Sequence, residues 1–142
     1  MRRSLLTLTQ SLVRSCRDWP TGLKVRTCFV LNRNTTMAHV KTLVDSKIAD
    51  KKVIIFSKSY CPFCTKAKHV FLRLIEEGKL SSDDYEVMEI ENNPDCDAIQ
   101  NYLQTVTGAR SVPRVFINGK CIGGGDDVVA ADKAGELVKK LL

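Results

Sequence analysis

The chain has 142 residues, 27% charged and 44% hydrophobic, which is one domain of ordinary soluble composition. Its apolar runs reach only four residues, as in Cys28–Leu31 and Val53–Phe56, far short of the roughly 18 a membrane span requires, and eight Gly and four Pro exclude a collagen-like or low-complexity chain. The net charge of +6 belongs to one end: residues 1–36 hold seven Lys and Arg against the single acid Asp18, whereas residues 37–142 hold 15 bases and 15 acids, so the basic balance is no nucleic-acid footprint of the domain.

Residues 1–36 read as a leader, rich in Arg, Ser and Thr and without Ala. On a helix, Leu5, Leu8, Leu12 and Cys16 share one face, while Arg3, Arg14 and Arg17 fall on the flank and opposite side. That amphipathic, acid-poor pattern is expected of a mitochondrial transit peptide. A secretory signal needs an unbroken apolar stretch, and Thr7, Thr9, Gln10 and Ser11 interrupt this one. A disordered basic tail is the plain alternative. Met37 opens the neutral part; a start there would give a cytosolic form with a domain over 37–142, and the plain alternative is a Met at the domain edge.

The domain reads as alternating elements. Val40–Ala49 carries Val40, Leu43, Val44 and Ile48 at helical spacing. Lys52–Ser57 is a short β-branched strand. Residues 62–77 form a helix with Ala67, Val70, Phe71, Leu74 and Ile75 inward and Gly78 as its stop. Tyr85–Ile90 is a second strand. Asp95 caps a helix running to about Thr107, with Ile99, Leu103 and Val106 inward and Gly108 at its end. Arg114–Ile117 and Lys120–Ile122 pair through Asn118-Gly119, a strong hairpin signal. After Gly123-Gly124-Gly125 come helical turns opened by Asp126 and Asp127, Asp126 being the expected cap, and a closing helix over Gly135–Leu142 with Leu137, Val138 and Leu141 inward. A strand–helix–strand start implies a parallel pair, and the late hairpin adds antiparallel strands. The expected fold is α/β: a small four-stranded mixed sheet flanked by helices on both faces.

Six cysteines are present, and Cys16 and Cys28 lie in the leader. The pair that needs explaining is Cys61-Pro62-Phe63-Cys64, between a strand and a helix. Cys61 falls near the N-cap, and Pro62 at the first helical position, where its missing N–H costs nothing. Free backbone N–H groups and the positive helix end favour a thiolate there. Lys58, Lys66 and Lys68 add positive field. Cys64, one turn in, suits a resolving thiol. Two inert structural cysteines are the plain reading. Zinc needs two further ligands, and Cys96, Cys121, His39 and His69 are not paired at ligand spacing, so no metal is expected. Cys121 reads as a small buried hydrophobe, Cys96 as a partly exposed thiol without a role, and His69 as solvated.

The segment Lys58-Ser59-Tyr60-Cys61-Pro62-Phe63-Cys64 resembles the active site of dithiol glutaredoxins. Thr107-Gly108-Ala109-Arg110-Ser111-Val112-Pro113-Arg114-Val115-Phe116-Ile117 is similar to that family's Val-Pro segment, and Cys121-Ile122-Gly123-Gly124-Gly125-Asp126-Asp127 to its double-glycine and Asp segment. The resemblance spans roughly residues 40–142. Thioredoxin itself is disfavoured, because its Trp-Cys-Gly-Pro-Cys has no counterpart and the one Trp here is Trp19. Phe63 stands where the family most often has Tyr, and Gly125-Asp126 where it often has Cys or Ser.

The resemblance implies a thioredoxin-like fold and a glutathione-dependent thiol–disulfide oxidoreductase. Cys61 would be the nucleophile, Cys64 the resolving thiol, and the two would form the redox disulfide. Glutathione would be the co-substrate, gripped by Lys58, Tyr60, Phe63, Gln100, Arg110, Ser111, Val112, Pro113, Gly125, Asp126 and Asp127. In that frame the Val112–Pro113 bond is cis, Val112 offers its backbone to the cysteinyl moiety, and Asp127 pairs with the γ-glutamyl amine. The implied partners are glutathionylated proteins and protein disulfides, with glutathione reductase acting indirectly, and a monomer suffices. The rival is a dimer that binds a [2Fe–2S] cluster through the first cysteine and two glutathiones, against which Pro62 argues.

Overall fold

The computed structural model describes residues 33–142, so the leader with Cys16 and Cys28 lies outside the described residues. The elements in chain order are α1 (Arg33–Asp50), β1 (Val53–Ser57), α2 (Pro62–Glu76), a single 3-10 turn (Ser82–Asp84), β2 (Tyr85–Glu89), α3 (Cys96–Thr107), β3 (Arg114–Ile117), β4 (Lys120–Gly123), α4 (Gly125–Lys133) and α5 (Glu136–Leu141). The four strands form one sheet in the order β2-β1-β3-β4. β1 runs parallel to β2 and antiparallel to β3, and β3 runs antiparallel to β4. This is the expected mixed sheet.

β1 occupies the interior of the sheet and is buried along its whole length. Successive side chains therefore feed two cores. Val53 and Ile55 pack with Phe71, Leu74, Val115, Val128 and Leu137 on the face covered by α2, α4 and α5. Ile54 and Phe56 pack with Val40, Val44, Ile99, Leu103 and Phe116 on the face covered by α1 and α3. Phe56 and Phe116 meet edge-on, with centroids 5.8 Å apart and planes at 83°, a geometry worth about 0.5–1.5 kcal/mol beyond area burial. On the α1 side the Tyr102 hydroxyl donates to Asp45 Oδ1 at 2.7 Å, which ties α3 to α1.

Local punctuation follows the chain's turn chemistry. Asn118 and Gly119 take φ of 48° and 78°, the paired left-handed conformation that a two-residue hairpin needs. Three expectations are corrected. Asp95 sits at the N-cap of α3 with φ −94° and ψ 16° and makes no side-chain cap; outside the extended region its carboxylate does not reach the next amides. Val106 is 48% exposed rather than inward. Cys121 is exposed on β4, not buried.

Candidate active site

β1 and α2 place Cys61 at the mouth of the helix. It is the N-cap of α2, extended at φ −88° and ψ 117°, with Pro62 beginning the helix. Its N–H donates to the Lys58 carbonyl at 3.1 Å, a tight turn that swings the chain from strand into helix. Its carbonyl accepts from the Thr65 N–H at 3.1 Å. The residue is half-buried, and its S–H faces the Val112 carbonyl oxygen at 3.8 Å. The Val112–Pro113 bond is cis.

Cys64 lies one turn in and is fully buried. Burial pushes its thiol up, because a thiolate there would lose its water. The Lys58 backbone and the Ser57 hydroxyl pull in the opposite direction, and the neighbouring Cys61 thiol raises it further. Both cysteines are free thiols in this structure. The pair thus combines a reachable sulfur at a helix N-terminus with a sequestered one behind it.

A cleft of about 340 Å³ opens beside Cys61, lined by Phe63, Ser111, Val112, Pro113, Arg114, Gly124, Gly125, Asp126 and Asp127. Seven of the residues named from sequence thus share one cavity, although they come from α2, the loop before β3 and the start of α4. Gly125, Asp126 and Asp127 open α4, and N–H groups in a first turn have no intrahelical acceptors. Gly125 is buried so closely on α2 that a Cβ there would stand 2.5 Å from the Phe63 carbonyl oxygen. The cap of α4 is a correction. Gly124 is the N-cap, and Asp127, not Asp126, reaches back so that its Oδ2 accepts from the Gly124 N–H at 2.7 Å. A larger depression of about 440 Å³ lies between β4 and the C-terminal helices, but its one thiol is Cys121.

Beyond the cleft, Lys58 Nζ donates to Gln100 Oε1 at 3.2 Å, and Gln100 Nε2 donates to the Arg110 carbonyl at 3.1 Å. Arg110 itself pairs with Asp97 at 2.7 Å. Its charge is therefore partly spent. Lys68 is likewise paired with Glu89, which corrects its expected part in the field around Cys61. Lys66 sits over the Phe63 ring, 5.1 Å from its centroid. Tyr60 is 73% and Phe63 45% exposed, so two aromatic surfaces flank the reachable sulfur. The Ser59 N–H donates to Glu91 Oε1 at 3.1 Å, and Ser59 holds the Glu91 carboxylate below its usual range.

Sequence reasoning passed over Arg114. Only 8% of it is exposed, it lines the cleft, and it makes no salt bridge among the described residues. Its Nε donates to the Ala109 carbonyl at 3.3 Å and its Nη2 to Ser111 Oγ at 2.9 Å. A buried guanidinium held by neutral acceptors keeps an uncompensated charge at the cleft wall. The signal in the sequence was an Arg opening a strand whose other members are all core residues.

A glutaredoxin family model matches residues 53–122. Glutaredoxin-1 of Sus scrofa is 44% identical over 102 residues, which is 71% of this chain and 92% of the pig protein. The chain belongs to the glutaredoxin family. Glutaredoxin-C4 of Arabidopsis thaliana is 47% identical over 98 residues, covering 69% of this chain and 67% of that one. Oxidized glutaredoxin 2 from Chlamydomonas reinhardtii superposes with a TM-score of 0.66 at 47% identity, covering 74% of this chain and 92% of that one. A buckwheat glutaredoxin–glutathione complex superposes with a TM-score of 0.65 at 33% identity, covering 75% and 91% of the two chains. As a glutaredoxin of thioredoxin-like fold, the protein is a thiol–disulfide oxidoreductase of a family that uses glutathione as a substrate. Among the described residues, no group of three or more His, Cys, Asp or Glu is placed to hold a metal ion.

Proposed function

We propose that this glutaredoxin reduces protein–glutathione mixed disulfides and protein disulfides through a thiolate at Cys61, with glutathione as the reductant. The observation that carries the reading is the placement of half-buried Cys61 at the N-cap of α2, with its sulfur against the Val112 carbonyl. A sulfur at a helix start stands where an incoming disulfide can reach it, and the adjoining cleft suits a short peptide. Val112 offers a backbone edge for the cysteinyl part. The orphan amides of α4 and the Arg114 guanidinium suit the γ-glutamyl carboxylate, and the free oxygen of Asp127 suits its amine. Lys58 suits the glycyl carboxylate.

The chemistry balances without an external cofactor. Cys61 thiolate attacks the glutathionyl sulfur, the bond to the protein sulfur breaks, and the protein leaves as a thiolate that takes up a proton. A second glutathione thiolate then attacks the glutathione sulfur held on Cys61. Glutathione disulfide departs, and Cys61 is again a thiolate. On a protein disulfide, Cys61 forms a mixed disulfide with the substrate and Cys64 displaces it. The test is a glutathione-coupled reduction assay on a glutathionylated protein. Turnover by the wild type and its loss in Cys61→Ser is the expected result, and substantial turnover by Cys61→Ser overturns the mechanism.

The N-terminal 36 residues are proposed to direct mitochondrial import, the supporting feature being their Arg-rich, acid-poor amphipathic pattern. A reporter fused to residues 1–36 should collect in mitochondria, and a protein started at Met37 should stay in the cytosol. A fusion that remains diffuse overturns that assignment.

A further inference from the structure

Among the described residues, two buried side-chain polar atoms lack a hydrogen-bond partner, Ser57 Oγ and Glu91 Oε2. Glu91 still uses its other oxygen on the Ser59 amide. Ser57 has no second polar atom. It is wholly buried at the C-terminal end of β1, where an unsatisfied hydroxyl costs about 1–3 kcal/mol. Apolar residues fill every other position of that strand, so burial alone does not account for a serine.

The turn after Ser57 leads straight into the cysteine pair. The Cys61 N–H closes on the Lys58 carbonyl, and Cys64, fully buried like Ser57, follows within the first turn of α2. The Ser57 hydroxyl and the Lys58 backbone are the two groups that favour negative charge on the Cys64 sulfur. The neighbouring Cys61 pushes that thiol up, and Arg114 of β3 with Asp126 and Asp127 of α4 are the charged groups that line the neighbouring cleft. A neutral thiol is a weak acceptor. A thiolate is a strong one.

We propose that Ser57 is a positioning residue for the resolving thiol, its hydroxyl donating to the Cys64 sulfur when that sulfur carries negative charge. This rests on Cys64 acting as the resolving thiol. In the mixed disulfide with a protein, Cys64 gives its proton to solvent and its thiolate attacks the Cys61 sulfur. The Cys61–Cys64 bond forms, the bond from Cys61 to the substrate sulfur breaks, and the substrate leaves as a thiolate that is then protonated. The enzyme dithiol is oxidised by two electrons and the substrate disulfide reduced by two. On the return, glutathione thiolate attacks Cys61, and Cys64 leaves with the electron pair. Cys64 bears charge in both directions, and the Ser57 hydroxyl has no other partner to give up.

The test compares Ser57→Ala, Ser57→Thr and Cys64→Ser with the wild type, on an intramolecular protein disulfide and on a glutathionylated protein. Ser57→Ala should lower the ratio of the first rate to the second about ten-fold, the size of one hydrogen bond to a charged group. The apparent pKa governing disulfide reduction should rise by about one unit. Thermal stability should not fall, because the deleted hydroxyl has no partner to lose. Ser57→Thr keeps the hydroxyl and should keep the ratio. A ratio within two-fold of wild type with an unmoved pH profile, or an equal loss on both substrates with a lowered melting point, overturns the proposal. If Cys64→Ser fails to separate the two reactions, the resolving role itself falls and Ser57 with it; if it separates them and Ser57→Ala does not shift the ratio, only the role of Ser57 falls.

Discussion

The Cys61 sulfur faces the Val112 carbonyl at 3.8 Å, a contact between residues 51 positions apart. It joins the N-terminus of α2 to the loop that edges the cleft. In the proposed reaction a disulfide that reaches Cys61 would run alongside the Val112 backbone.

Cys64→Ser should divide the two reactions. In the proposed mechanism a glutathionyl group on Cys61 is removed by an external thiol, whereas a protein held on Cys61 is released by the tethered Cys64, whose advantage is its high effective concentration. The variant should keep most of its rate on a glutathionylated substrate and lose at least roughly ten-fold on an intramolecular disulfide. Steady-state rates on the two substrates check this, and equal losses contradict it.

Asp127 caps α4, and substitution can part that role from the proposed one toward glutathione. Asn in its place still accepts from the Gly124 N–H but carries no charge, whereas Ala does neither. Asp127→Asn should raise the KM for glutathione several-fold at nearly unchanged stability. Asp127→Ala should also lose about 1 kcal/mol, the usual worth of a cap. An Asn variant with wild-type KM would make Asp127 a cap and nothing more.

Gly125→Ala should strike both fold and site. Its new methyl would press on the Phe63 carbonyl, a backbone atom 2.5 Å away that has little room to yield. A cost of about 1–3 kcal/mol follows, seen as a drop in melting temperature. The start of α4 should shift away from the cleft and weaken glutathione binding, measured by calorimetry.

Acid should loosen the molecule through particular carboxylates. Asp45 is held low by hydrogen bonds from Lys41 and Tyr102, and Glu91 by Ser59. A carboxylate lowered in the fold stabilises it above its ordinary pKa, and that contribution fades as pH falls through the folded value. The urea midpoint should therefore drop as pH falls below about 5. Asp45→Asn should flatten part of that slope, and a slope identical to wild type would remove Asp45 from the account.

Much of this was legible in the chain. Cys61-Pro62 announced the start of α2, Asn118-Gly119 announced the hairpin, and the apolar spacing of Ala67, Val70, Phe71, Leu74 and Ile75 named the inward face. What escaped was set by geometry beyond local pattern. The β3–β4 ladder shifts register between Val115 and Phe116, so Cys121 pairs with Phe116 and Gly123 with Val115. Such a bulge re-aims side chains, and no alternation in residues 120–123 betrays it. Val106 continues the stripe of Ile99 and Leu103, but periodicity does not say where the covering element ends. Arg114 was hidden because a strand-forming context masks what one cation among core residues must do.

β1 poses a problem of frame that has nothing to do with redox chemistry. With both faces of the strand buried, sliding it by one residue would exchange Val53 and Ile55 for Ile54 and Phe56, apolar for apolar, and oil-and-water alternation could not tell the two alignments apart. The bracket around it can. Lys51 and Lys52 precede the buried run and Lys58 follows it. A slip either way would drag an ammonium into the interior at a cost of several kcal/mol. The lysines at its ends thus act as stops that hold the central strand in phase.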